Sequence, residues 1–333
     1  MIKSCRQTRR TAWKQVQEYH LETPVPIMFG KSVKAGSYLY KTYKIEAELG
    51  SGGSGAVFKA WHKRLCKHVV IKVVKDGSPA AIRVHRNEVE AIKNIKSLNI
   101  PQVLDFITDG IFSFTIMEYI EGDSFDKLLK LGRIFTEQQI TAWYIQMVSA
   151  LKAIHKHDVC HRDIKPSNIM LAENKDIYLI DFNSALVSGN NTGVISRSMG
   201  YASPEQYEYF KMCRDILTGS SEVYNDNIET VLLVNDCKTI PVTGADISAC
   251  TGLYEINWKL SDIYSLGATM YHFLTGKRPP VKADEVLKIS ELYGYSGKIL
   301  GIIGKSMNPD PLQRFASADE LNDALTDNLS VVS

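Results

Sequence analysis

A chain of 333 residues that is 44% apolar can bury one large domain or two lobes, and its formal net charge of +2 excludes nucleic acid or an anionic membrane surface as the main partner. No run reaches the ~20 consecutive apolar residues of a transmembrane helix, and no apolar stretch follows Lys3, Arg6, Arg9 and Arg10, so neither a membrane span nor a signal peptide is expected. Six cysteines lie scattered without metal-type or paired spacing and read as reduced thiols of a cytoplasmic protein, with Cys160 a small buried apolar residue rather than a nucleophile.

Residues 1–42 mix charge, aromatics and the Pro24-Val25-Pro26 punctuation, the mark of an extension ahead of the folded body. From 43 the pattern turns strand-rich, with β-type runs at 43–49, 56–61 and 68–74 separated by glycine or charged turns. Between the first two lies Leu49-Gly50-Ser51-Gly52-Gly53-Ser54-Gly55-Ala56-Val57, a G-x-G-x-x-G-x-V stretch. Glycine lets a backbone approach phosphates and present its amides to them. That pattern alone is weak, but a strand rather than a helix follows it, which disfavours a dinucleotide-binding turn. Lys72 stands fifteen residues after Val57, in Val69-Val70-Ile71-Lys72; taken by itself, a lysine ending a strand is as readily a solvated charge. Ser78-Pro79 signals a helix start. Ile82, Val89, Ile92 and Ile95 suit its buried stripe, and it carries Glu88 and Glu90. The apolar run at 112–120 is long enough for a strand and a connector.

Beyond Gly122 the pattern is helical. Thr136-Glu137-Gln138-Gln139 is a capping box, and Ile140, Trp143, Tyr144, Met147, Leu151 and Ile154 recur at helical spacing. That helix delivers the chain to His161-Arg162-Asp163-Ile164-Lys165-Pro166-Ser167-Asn168. Here a candidate proton acceptor, a cation and a metal-suited amide oxygen stand together, the working set of phosphoryl transfer; a polar turn after a helix is the alternative. A short strand at 176–180 leads to Asp181-Phe182-Asn183. The strongly apolar helix 261–274 is stopped near Gly276 ahead of Pro279-Pro280, and Ser317-Ala318-Asp319-Glu320 reads as a second capping box.

These motifs, in this order, resemble those of the protein kinases. The run His161 to Asn168 is similar to the catalytic loop H-R-D-x-x-x-x-N, with Lys165 and Pro166 in the Ser/Thr form. Residues 49–57 resemble the glycine-rich loop, Val69 to Lys72 the V-A-I-K strand, and Met117-Glu118-Tyr119-Ile120 the hinge. Asp181 to Asn183 stands at the D-F-G position. Met199-Gly200-Tyr201-Ala202-Ser203-Pro204-Glu205 is similar to the end of the activation segment, and Ser261-Asp262-Ile263-Tyr264-Ser265-Leu266-Gly267 to the helix whose aspartate ties down the catalytic loop.

The resemblance covers 43–328, in the style of bacterial eukaryotic-like kinases, and leaves a tail at 329–333. It implies an α+β, two-lobed protein-kinase-like fold: a small β-rich N-lobe over about 43–117, a larger α-helical C-lobe over about 122–328, and an ATP cleft between them. It implies a serine/threonine protein kinase that uses ATP with magnesium, or manganese, on protein hydroxyls. Asp163 would accept or orient the substrate proton, Lys165 would neutralise the transferring phosphoryl group, and Asn168 and Asp181 would hold the metal. Lys72, oriented by Glu88 rather than Glu90, would hold phosphates. Leu49, Gly50, Ser51, Gly52, Gly53, Ser54, Gly55, Val57, Val70 and Met117 would line the nucleotide site, and the backbone of Glu118 and Ile120 would bind adenine. Glu205 would pair with Arg314, and Ser198 would contact Asp163. Ser184, Ser188, Thr192, Ser196 and Ser198 would be the candidate acceptors for autophosphorylation in 184–198, with Arg162 a partner for such a phosphate.

Three departures keep other readings open. Val70 stands where the family usually has alanine and tightens the adenine pocket. Asn183 replaces the glycine of D-F-G; asparagine tolerates left-handed geometry best among the other residues, and a degenerate metal site is the competing reading. The 56 residues between Glu205 and Asp262 imply an insertion at about 211–260, for partner recognition or mere surface decoration. A nucleotide-binding pseudokinase scaffold is therefore the alternative function. A small-molecule kinase of the aminoglycoside or choline type is disfavoured by Lys165, Pro204-Glu205 and Arg314.

Overall fold

In the structure, a computed structural model that describes residues 36–327 except 53–54, 75–78, 110–111, 188–192, 219–229 and 234–255, the strand-type runs form one antiparallel sheet. Its strands are β1 (Tyr38–Leu39), β2 (Tyr43–Gly52), β3 (Gly55–His62), β4 (Lys67–Val74), β5 (Val103–Asp109) and β6 (Phe112–Glu118), in the order β1-β2-β3-β4-β6-β5, and α1 (Pro79–Ile92) follows β4. The sheet begins at Tyr38, ahead of the expected start at 43, because Leu39 pairs with Tyr43. β5 has no counterpart in the sequence reading. It is an edge strand with a register shift between Val103 and Asp105, which removes the clean alternation that would announce it.

A period of two divides the sheet. Ala56, Phe58, Ala60, Val69, Ile71, Val73, Phe114 and Ile116 build a buried core with Leu39 and Ile45 on one face. The register places Val57 opposite Lys72, Lys72 opposite Thr115, and Val70 opposite Met117, so these residues share the other face. α1 packs there through His85, whose Nδ1 lies 2.7 Å from Ser113 Oγ and whose Nε2 lies 2.7 Å from Thr115 Oγ1. Val89 and Ile92 are buried as expected, but Ile95 reaches the core from a turn beyond the helix, its amide donating to Ile92 O at 3.0 Å. Ser78, the expected N-cap, lies outside the described residues.

The larger lobe follows: β7 (Gly122–Ser124), α2 (Phe125–Lys130), α3 (Glu137–Lys156), β8 (Val159–Cys160), β9 (Ile169–Ala172), β10 (Ile177–Leu179), β11 (Leu186–Val187), β12 (Gly193–Ser196), α4 (Pro204–Thr218), β13 (Thr230–Leu233), α5 (Trp258–Thr275), α6 (Ala283–Val286), α7 (Gly297–Ser306) and α8 (Ala318–Thr326). The capping box of α3 is formed: Gln139 N donates to Thr136 Oγ1 at 3.2 Å and Thr136 N to Gln139 Oε1 at 3.0 Å. Its six expected apolar positions are all buried, against α5 and α8. At Gly267 a Cβ would stand 2.6 Å from Ser306 Cβ, so glycine sets the close approach of α5 and α7. α5 ends at Gly276, left-handed at φ +68°.

The second capping box is only half made. Ser317 Oγ accepts from Glu320 N, but the Glu320 carboxylate accepts from the Ala316 amide instead of that of Ser317. The expected insertion is bounded by helix on both sides, since α4 runs to Thr218 and α5 starts at Trp258. Within it, β13 pairs antiparallel with β12, and the remaining stretches, like 1–35 and 328–333, lie outside the described residues. Among the described residues no helix is long and apolar enough to cross a membrane.

Arg314, 3% exposed, holds Glu205 with two bonds (Nη1 to Oε1 at 2.6 Å, Nη2 to Oε2 at 2.9 Å) and donates to the carbonyls of Asn308, Pro309 and Leu260. Removing one partner strands a buried charge. Arg314→Met is expected to cost about 3–5 kcal/mol of stability, with Glu205→Gln adding less than its own single effect, read by denaturant unfolding; full additivity would show that the pair is not coupled.

Burial and then the nearby Lys72 push the His85 imidazole down to about 3, so it packs neutral. Its folded value lies below its ordinary one, so its contribution is present above pH 6.5 and is lost as the pH falls towards 3. Relative to His85→Gln, the wild type should lose about 2 kcal/mol between pH 7.5 and 5 in matched unfolding curves. A pH-independent difference would remove the neutral buried histidine.

Candidate active site

The chain leaves α3, pairs β8 with β11 through Val159–Val187 and Cys160–Leu186, and turns at His161. The turn is fixed from α5. Asp262, fully buried, accepts the His161 amide at 2.9 Å, the Arg162 amide at 2.8 Å and His155 Nε2 at 3.0 Å. His161 Nε2 lies 3.2 Å from Ile180 O while its Nδ1 receives the Asp163 amide at 3.3 Å, so the proton sits on Nε2. Cys160 lies beside His155 and Asp262. Burial, then the Asp262 charge, push its thiol well above the usual cysteine range, and it packs as a neutral small residue, as expected.

Asp163 then projects between three donors. Ser198 Oγ donates to Oδ1 at 2.7 Å; Lys165 Nζ at 2.9 Å and Asn168 Nδ2 at 3.1 Å reach Oδ2. Lys165 Nζ also donates to Ser198 Oγ at 2.9 Å. Asn168 spends its amide nitrogen on Asp163, including the backbone carbonyl at 2.8 Å, which leaves Oδ1 to the Ser167 hydroxyl at 3.3 Å and to any cation. The expected Ser198–Asp163 contact is present.

Across from this loop, Lys72 meets three residues singled out from the sequence. Its Nζ donates to Glu88 Oε1 at 2.6 Å, to Asp181 Oδ1 at 3.2 Å and to Asn183 Oδ1 at 2.6 Å. Glu90 is exposed and pairs with Lys93, so of the two glutamates it is Glu88 that meets Lys72. Burial alone would depress the Lys72 ammonium, but Glu88 and Asp181 outweigh it and hold it above its ordinary value. Burial raises the Glu88 carboxyl despite Lys72; the 2.6 Å contact and the upward shift of the lysine keep the proton on nitrogen. Among the described residues Glu88 Oε2 has no hydrogen-bond partner of ordinary geometry, although the Phe182 amide faces the same carboxylate. Burial also acts to raise Asp181, yet Lys72 prevails and holds it low and ionised.

Asn183 differs from the expectation attached to it. Its φ is not left-handed; the left-handed residues here are Asp181 at +64° and Arg162 at +63°. Nothing in the sequence signals that its amide would reach Lys72.

The remaining expected residues fall around the same opening. Val57, Val70 and Met117 share the sheet face of Lys72, and Leu49, bulged out of the ladder between Glu48 and Gly50, is half exposed. A Cβ at Gly50 would meet nothing within 4 Å, whereas at Gly55 it would stand 2.1 Å from Val73 O. Gly52 pairs with Gly55 at the hairpin end, and Gly53 and Ser54 lie outside the described residues. The Glu118 amide donates to Gln102 O at 2.9 Å; among the described residues nothing accepts the Ile120 amide.

Of the candidate acceptors, Ser184 and Ser198 are buried, which removes them as accessible hydroxyls, and Ser188 and Thr192 lie outside the described residues. Arg162 is buried too: its Nε donates to Ser184 O at 2.6 Å and its guanidinium lies 5.1 Å from the Trp258 ring, so it anchors the segment from within. Gln206, not singled out from the sequence, donates to Arg162 O at 2.7 Å and accepts from Ser261 Oγ.

The chain is similar to known protein kinases. The model of the protein kinase domain matches residues 43–216. A probable serine/threonine-protein kinase of Clostridium acetobutylicum is 30% identical over 77% of this chain and 33% of its own length. The serine/threonine-protein kinase PknL of Mycobacterium tuberculosis is 27% identical over 74% of this chain and 52% of its own. A dual specificity protein kinase, zakA of Dictyostelium discoideum, is 34% identical over 42% of this chain and 18% of its own. The chain thus spans about half or less of the length of these relatives. With the family model covering more than half of its residues, the chain belongs to the protein kinase domain family.

Proposed function

We propose that the chain is an ATP-dependent protein kinase that phosphorylates serine or threonine hydroxyls of proteins. The observation that carries this is the Asp163 carboxylate, held by Ser198, Lys165 and Asn168 on one side of an opening whose other side is the Lys72, Glu88 and Asp181 cluster. Asp163 is oriented so that it can accept or align the proton of an entering hydroxyl. Lys165, already against Asp163 and Ser198, supplies positive charge beside the acceptor.

The residues present fit ATP and a hard divalent cation. Asn168 Oδ1 and the ionised Asp181 carboxylate are oxygen donors suited to magnesium, with manganese the second candidate. Lys72 is a buried cation for phosphates. The Glu118 carbonyl and the Ile120 amide suit an adenine edge, Leu49, Val57, Val70 and Met117 its faces, and Gly50, Ser51, Gly52, Gly53, Ser54 and Gly55 the phosphates. Bound ATP and its metal supply the transferable phosphoryl group and neutralise its charge. The pseudokinase scaffold is not favoured, since the charged residues the chemistry needs, Lys72, Glu88, Asp163, Lys165 and Asp181, are all gathered around the opening, and protein acceptors other than Ser184 and Ser198 are the expected targets.

On incubation with magnesium, ATP and a generic protein substrate, the wild type should transfer phosphate, read by intact mass. Asp163→Asn should lower the rate by about 10²–10⁴-fold while keeping a nucleotide-dependent thermal shift. A wild type with neither transfer nor thermal shift would falsify the kinase reading; a shift without transfer would favour the scaffold.

A further inference from the structure

A lysine ammonium has three N–H donors and no acceptor. In this structure all three of Lys72 are committed, to Glu88 Oε1, Asp181 Oδ1 and Asn183 Oδ1. Lys72 is 9% exposed, so solvent offers it little else. A phosphate oxygen can therefore bind Lys72 only by taking the place of one of these three.

The three are not equal. Displacing Glu88, 4% exposed, would leave a carboxylate in the interior without its cation, a loss far larger than a neutral hydrogen bond. Asp181 carries a full charge and sits at the longest of the three distances, 3.2 Å. Asn183 is neutral and half-buried, and its amide regains bonds to water once it swings away. Its backbone is outside the left-handed region, so the side chain turns without a strained main chain holding it. We infer that Asn183 is a positioning residue which, before nucleotide arrives, takes the Lys72 donor that a phosphate oxygen of ATP later takes. It keeps the lysine beside Glu88 and at the same time weakens the binding of phosphate-bearing nucleotides. The inference rests on the proposed role of Lys72 as the phosphate ligand.

The test is a set of dissociation constants for ATP, ADP and adenosine, measured with magnesium on the whole chain. The variants are Asn183→Ala, Asn183→Asp and Lys72→Met, and Asn183→Ala is also combined with Lys72→Met. Alanine keeps the Cβ and suits a φ that is not left-handed, and melting curves verify that each variant is folded. Asn183→Ala should bind ATP and ADP about tenfold tighter, the release of one hydrogen bond to a charged group, with adenosine unchanged. Asn183→Asp, which answers Lys72 with a charge, should bind both phosphorylated nucleotides more weakly. In the Lys72→Met background the Asn183→Ala effect should vanish.

A merely structural asparagine would move adenosine together with ATP, and that result overturns the inference. So does weaker ATP binding by Asn183→Ala, or an effect that persists without Lys72. If Lys72→Met leaves wild-type ATP affinity intact, the phosphate role of Lys72 fails and this inference with it. If the wild type binds neither ATP nor adenosine, the nucleotide reading itself fails. Ordinary nucleotide binding that is indifferent to Asn183 removes the inference alone.

Discussion

The catalytic turn depends on one buried carboxylate. Arg162 has a left-handed backbone at φ +63°, a conformation that costs a residue with a Cβ about 1–2 kcal/mol. Such a residue persists only where its surroundings over-determine it. Asp262 provides that from α5 by accepting the amides of both His161 and Arg162, and Gln206 takes the Arg162 carbonyl while Ser184 O takes its Nε. Every polar group of the strained residue named here is tied to a different element. The direction in which Asp163 points is thus decided by residues up to a hundred positions away.

The same logic links the lobes. The small lobe contributes one cation, Lys72, and the large lobe answers with Asp181 and Asn183. Glu88 comes from α1, and α1 is itself fastened to the sheet by His85 through Ser113 and Thr115. His85 precedes Glu88 by one helical turn, so the clamp and the ion pair lie on the same helix face. A shift of α1 along the sheet would break both at once, and the position of Lys72 is therefore set by the helix as well as by its strand.

What the sequence made legible follows from the range of each signal. Residues whose spacing is local and whose chemistry is exacting stood out: Asp163, Lys165 and Asn168 within eight positions, and Lys72 at the end of Val69-Val70-Ile71-Lys72. Capping at Thr136 and the left-handed stop at Gly276 were equally readable, being decided by a few neighbouring residues. What escaped depends on pairing. β5 is half-buried and bulged, so no alternation marks it. Glu320 reaches Ala316 instead of Ser317 because a carboxylate can take either of two adjacent amides, and sequence spacing does not choose between them. The pairing of β13 with β12 joins the insertion to the segment between Asp181 and Glu205, a contact between runs with no shared motif.

Asn183 shows how a departure from a pattern is best judged. Glycine is worth having where φ is positive, and there any other residue is strained. Position 183 is not such a place here; the left-handed turn of this segment is taken at Asp181, by a residue type whose short polar side chain accommodates it better than most. Replacing glycine by asparagine therefore adds no backbone strain in this conformation. What it adds is an amide oxygen 2.6 Å from the Lys72 ammonium. The consequence of the substitution lies in the side-chain balance around Lys72 and not in the main chain, where the pattern alone would have placed it.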